Sequence, residues 1–137
     1  MKLARGPRPL AIRVFAAAFL AAAVLRLVRG LDNLALSEAV FAAHMPWVSW
    51  NRDWTIVTLS AEFTIALIPL VWIYLFAAPF ARWLVLGFGA LRLAFLDPAA
   101  LIGAVLVAVA MASLLTPGAA RWFARKPVQE DGPAVFE

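Results

Sequence analysis

Three ionisable side chains, Arg26, Glu62 and Arg92, stand inside long uncharged runs of this 137-residue chain. A charge at the centre of a bilayer costs about 2.5 to 3.5 kcal/mol on insertion scales, so such groups face a bundle interior or water and find partners. A guanidinium offers a planar fork of donors that matches a carboxylate. At about 1.5 Å per helical residue, Arg26 lies about 6 Å inside Gly30, Arg92 about 7.5 Å inside Asp97 and Glu62 about 12 Å inside Trp54. All three fall in the outer half of the membrane thickness, and the reach of the side chains allows a Glu62 carboxylate bracketed by one or two arginines. Each arginine taken alone reads better as snorkelling to the headgroups along its aliphatic stem. Glu62 is shorter and deeper, so it needs a partner. A structural ion pair is favoured over a transport or proton site, because structural networks use the same groups.

Other chemistry is excluded by what the chain lacks. It has no cysteine, which rules out disulfides, iron-sulfur ligation and thiol catalysis. His44 is the sole histidine, with no cluster of carboxylates around it, so no metal site is expected. No P-loop, dinucleotide fingerprint, nucleophile elbow or zinc-protease motif occurs, and the serines lack the His and acid partners of a triad. The chain is therefore expected to be no enzyme and to hold no cofactor. Trp72 and Tyr74 read as packing or lipid-facing groups rather than a ligand cage.

The elements that must position the three charges are set by solvent. Apolar residues make up 65% of the chain and the mean hydropathy is +0.90. Runs rich in Ala and Leu without period-two alternation favour helices over the strands of an outer-membrane barrel. The expected fold is all-α: an integral membrane bundle of four transmembrane helices, spanning about residues 10–28, 54–78, 81–96 and 98–115. An outer interfacial loop, 30–53, joins the first two. The bundle fills a domain of residues 1–126, and 127–137 reads as a flexible polar tail.

Net charge +4 and a pI near 10.7 read here as orientation signals rather than as a nucleic-acid footprint. Lys2, Arg5, Arg8 and Arg13 precede or open the first span, and Arg121, Arg125 and Lys126 follow the fourth. The positive-inside rule places both termini in the cytoplasm of a multi-pass protein of the bacterial inner membrane. Arg26, Arg29 and Arg52 around the outer loop oppose that orientation, with Asp32, Glu38 and Asp53 beside them. The basic stretch through Arg13, the run Val14 to Leu25 and its Ala-rich end also fit a cleaved signal peptide. Leu25, Leu27 and Val28 carry the apolar stretch past any Ala cleavage site and favour a retained span.

Local signals complete the reading. Arg26 and Arg29 suit the last turn of the first helix and Gly30 its left-handed C-terminal cap. Asp32 could cap a short helix through about His44, stopped by Pro46, but Leu34, Leu36, Val40 and Phe41 share no one clean helical face, so Leu31 to Asp53 reads as an interfacial or re-entrant loop. Asp53 is placed to cap the second span, and Pro69, unable to donate to the Ile65 carbonyl, predicts a bend. Trp47, Trp50 and Trp54, with Trp83 and Trp122, are candidate interfacial anchors, since indole rings prefer the headgroup level. Gly87 and Gly89 on the third span, and Ala100, Ala104, Ala108 and Ala112 at every fourth residue of the fourth, are candidate helix-packing positions. Leu25-Arg26-Leu27 before Leu31-Asp32 matches Leu91-Arg92-Leu93 before Leu96-Asp97, a pattern that a duplicated hairpin or a composition rich in Ala and Leu would both produce.

Four spans in so small a chain, Glu62 within the membrane and Gly87-Phe88-Gly89 in the third span together resemble the small multidrug resistance transporters. The resemblance implies transport through a membrane-embedded acid. In that family the essential acid belongs to the first helix, where this chain carries none. The leading expectation is therefore an accessory or structural subunit that packs against a larger membrane complex or self-associates. Its partners are the lipid bilayer and a membrane protein or a second copy, with no nucleic acid. The alternative is a small-molecule or proton-coupled transporter that uses Glu62.

Overall fold

The computed structural model describes residues 6–94 and 101–124, and all regular structure among them is helical. Six helices follow in order: α1 Leu10–Asp32, α2 Leu34–His44, α3 Arg52–Phe76, α4 Pro79–Ala94, α5 Leu101–Leu114 and α6 Pro117–Ala124. The turn at Asp97 and Pro98, the packing position Ala100 and the tail 127–137 lie outside the described residues.

The four-span bundle is not what the chain forms. Among the described residues two helices are long and apolar enough to cross a membrane, α1 with 23 residues and α3 with 25, and they coincide with the first two expected spans. At about 1.5 Å per residue they measure about 34 and 37 Å, against a hydrocarbon core of about 30 Å. The third and fourth expected spans are α4 and α5, of 16 and 14 residues. They reach only about 24 and 21 Å. A third crossing exists only if α5 and α6, bent by 59° at their junction, count as one broken span.

The break has a local cause. Leu115 and Thr116 donate back to Ala112 and Ser113, tightening the last turn of α5. Pro117 has no N–H with which to extend the ladder and suits the first position of a new helix. Thr116 Oγ1 serves both sides of the joint, donating to the Ser113 carbonyl at 2.8 Å and accepting from Ala119 N–H at 3.4 Å. The expected end of the fourth span, at 115, falls at this break, where Thr116, Pro117 and Gly118 interrupt the apolar run.

Helix α1 is the hub. It lies along α5 and α3 and touches α2 and α6, while α4 packs on α5 and α3. The core gathers where α1 and α4 begin and α3 and α5 end: Ile12, Phe15 and Ala18 meet Ile73, Ala81, Val85, Ala110, Leu114 and Trp122. Phe15 and Trp122 are the largest fully buried side chains there.

The far end of α1 and α3 is organised differently from expectation. The stretch 34–44 is helical rather than loop, and its cap is Asn33, whose side chain accepts from Leu36 N–H at 3.3 Å. Helix α1 runs through Gly30, which is buried inside it instead of capping it. A Cβ at Gly30 would stand 2.6 Å from Leu59 Cδ2, so this glycine is a point of close approach between α1 and α3. Asn51, not Asp53, caps α3 by accepting from Trp54 N–H at 2.9 Å, and Asp53 occupies the first turn, where a negative charge suits the helix dipole. Helix α3 continues through Pro69 and ends at Ala77, in the left-handed region at φ 48°.

Candidate functional site

Antiparallel packing of α1 on α3 brings two of the three expected intramembrane charges together. Arg26 Nε donates to Glu62 Oε2 at 3.2 Å. The pair sits one turn from the Gly30–Leu59 contact on each helix, so the close approach of the backbones sets the distance the two side chains must bridge. Arg26 is about 9 Å inside the end of α1, and Glu62 about 15 Å inside the start of α3. Both side chains remain open on one flank, 44% exposed for Arg26 and 39% for Glu62. The nearby hydroxyls are spent on their own helix: Ser60 donates to the Ile56 carbonyl at 2.8 Å and Thr64 to the Ser60 carbonyl at 2.9 Å. Glu62 therefore has Arg26 as its charged partner across the helix pair. Arg92 belongs to the last turn of α4, but its side chain lies outside the described residues.

The aromatic positions divide. Trp47, Trp54 and Trp83 are exposed. Trp50 is half-buried, stacked on Phe41 at 5.0 Å and donating to the Met45 carbonyl at 3.0 Å. Trp122 lies in the core, not at the surface, and its Nε1 donates to the Ile73 carbonyl at 3.3 Å. The reason is the end of α3: Ala77 N–H and Ala78 N–H both turn back to the Trp72 carbonyl, which leaves the Ile73 carbonyl without its usual backbone donor. The indole takes that donor's place.

The small residues divide as well. Gly89 stands against Met111 of α5, where a Cβ would come within 2.5 Å of Sδ, whereas Gly87 faces open space. On α5 the packed face is Val107, Ala110, Ser113 and Leu114. Ala104 is half-buried, and Ala108 and Ala112 point outward. Met111 and Val107, rather than the alanine ridge, make the contact with Gly89 of α4.

A second group of charges escaped the spacing argument. The Arg8 guanidinium lies over Tyr74 at 5.1 Å and Trp122 at 6.0 Å, and that of Arg82 over Trp83 at 5.7 Å and Phe123 at 5.8 Å. The neighbouring pairs Arg82-Trp83 and Trp122-Phe123 are the available signal in sequence. His44 is tied locally, its Nδ1 donating to the Val40 carbonyl at 2.7 Å. Among the described residues no group of three or more His, Cys, Asp or Glu comes together.

Comparison with protein-family models, with curated proteins and with solved structures finds no match. The chemistry of the site rests on its own geometry: a carboxylate held by one guanidinium, half-open, between two helices of membrane-spanning length.

Proposed function

We propose that this is an accessory subunit of the bacterial cytoplasmic membrane, with both termini cytoplasmic, that docks on a larger membrane protein through the α1–α3 flank. The observation that carries this reading is the Arg26–Glu62 pair, 3.2 Å apart and about two-fifths exposed on helices long enough to span. A half-exposed pair in water contributes about 0.2 to 1 kcal/mol. At hydrocarbon depth an ionised group left without cover is far more costly, and the usual remedy is a neighbouring polar or helical surface. The outward Ala108 and Ala112 give α5 a flat second face for close helix contact. The positive-inside bias of Arg8, Arg13 and Arg121 supports the orientation.

Transport is the second reading, favoured by the depth of Glu62, about 15 Å inside α3. One experiment separates the two. Gentle detergent extraction from the native host, for wild type, Glu62→Gln and the exchanged pair Arg26→Glu with Glu62→Arg, is followed by identification of co-purifying membrane proteins. The accessory reading requires a partner that Glu62→Gln loses. Recovery of wild type alone, together with flux in proteoliposomes that Glu62→Gln abolishes at unchanged helicity, would establish transport instead.

A further inference from the structure

We infer that the rim built on α6 where α1 begins is a binding site for the phosphate of an anionic phospholipid, held between Arg8 and Arg82. The inference rests on the membrane reading but not on the partner-docking one. Helix α6 presents Trp122 and Phe123 in succession, and each ring carries one guanidinium, Arg8 from the segment ahead of α1 and Arg82 from the first turn of α4. Tyr74 at the end of α3 and Trp83 complete the two aromatic seats.

A ring face attracts the positive charge but offers no acceptor to the N–H groups that lie in the guanidinium plane. The Nε atoms of both arginines are buried with no hydrogen-bond partner. The ring contacts hold the two guanidiniums, and it is their terminal Nη groups, not the enclosed Nε atoms, that are left to meet anionic oxygens. A phosphodiester supplies them in the geometry that arginine forks favour.

The charge distribution names the sign of the occupant. Among the described residues this end carries Arg8, Arg13, Arg82 and Arg121 and no carboxylate. The four described acids, Asp32, Glu38, Asp53 and Glu62, belong to the other end of α1, to α2 and to the first half of α3. Beside α6, Pro9, Gly118, Arg121 and Trp122 line a shallow pocket, with Arg121 Nε donating to the Pro117 carbonyl at 3.4 Å. A basic recess between apolar helices at the headgroup level suits a lipid whose tails can run down the adjoining α1–α3 groove of Ala16, Ala17, Leu20, Leu70 and Val71.

The test is native mass spectrometry of the full chain in detergent, titrated with phosphatidylglycerol or phosphatidylcholine. Wild type should retain phosphatidylglycerol preferentially. Arg8→Gln and Arg82→Gln should each weaken that retention roughly fivefold, Arg82→Lys should weaken it less, and Arg52→Gln at the far end should leave it unchanged. Millimolar inorganic phosphate should fail to compete, because the apolar groove holds the tails. Equal retention of the two lipids, equal loss in Arg52→Gln, or displacement by phosphate alone would overturn the assignment. A chain that purifies without any protein partner yet retains phosphatidylglycerol would remove the accessory reading and leave this site standing.

Discussion

Gly30→Ala tests whether the buried glycine serves the approach of α1 to α3 or merely the conformation of its own helix. In a helix interior the exchange removes the entropic cost of glycine and stabilises by about 0.5 to 1 kcal/mol. Here the new Cβ would meet Leu59 Cδ2 at 2.6 Å and Cδ1 at 2.9 Å. Carbon atoms in contact prefer about 3.5 to 4.0 Å. Leu59 is 1% exposed, so its methyl groups have little room to withdraw. Overpacking of this kind costs about 1 to 3 kcal/mol. The balance is a net loss of up to about 2 kcal/mol, roughly a thirtyfold shift toward the unfolded chain. In a Leu59→Ala background the obstacle is gone, and Gly30→Ala should then stabilise by up to about 1 kcal/mol, a reversal of sign. Reversible unfolding in mixed micelles, followed by circular dichroism, measures both steps. If Gly30→Ala destabilises equally with Leu59 intact and in the Leu59→Ala background, the close-approach argument fails.

Two further perturbations follow from the C-terminal end of α3. Ala77→Gly should stabilise by about 1 kcal/mol in the same assay, since an L-residue at φ 48° carries a left-handed cost that glycine does not. Trp122→Phe should cost about 1 to 3 kcal/mol because it leaves the Ile73 carbonyl buried without a donor. Trp83→Phe, at a position 68% exposed, should stay within about 0.5 kcal/mol.

The parts of this molecule legible from sequence are those that depend on solvent and on the high cost of buried charge. The runs at 10–28 and 54–78 are long enough for composition to place α1 and α3, and the expense of a charge in lipid singles out Arg26 and Glu62. Helix ends are less visible, because they depend on which backbone groups find donors. Asn33 and Asn51 cap where Asp32 and Asp53 are equally plausible. Gly30 suits a cap and a packing contact equally well in sequence, and only the position of Leu59 distinguishes them. The general preference of indoles for the headgroup level points Trp122 to the surface. What draws it inward is an orphaned carbonyl on α3, 49 residues away in sequence and invisible to any local pattern.

The central claim is that α1 and α3 cross a membrane in opposite senses, with the 45–51 connection on one side and α6 on the other. The absence of native cysteine makes single-cysteine labelling clean. Ser49→Cys and Ala120→Cys, both at exposed positions, can be treated with an impermeant maleimide in intact cells and in inverted vesicles. The account predicts that Ser49→Cys labels only in intact cells and Ala120→Cys only in inverted vesicles. Labelling of both from the same side, or recovery of the chain in the aqueous fraction, would contradict it.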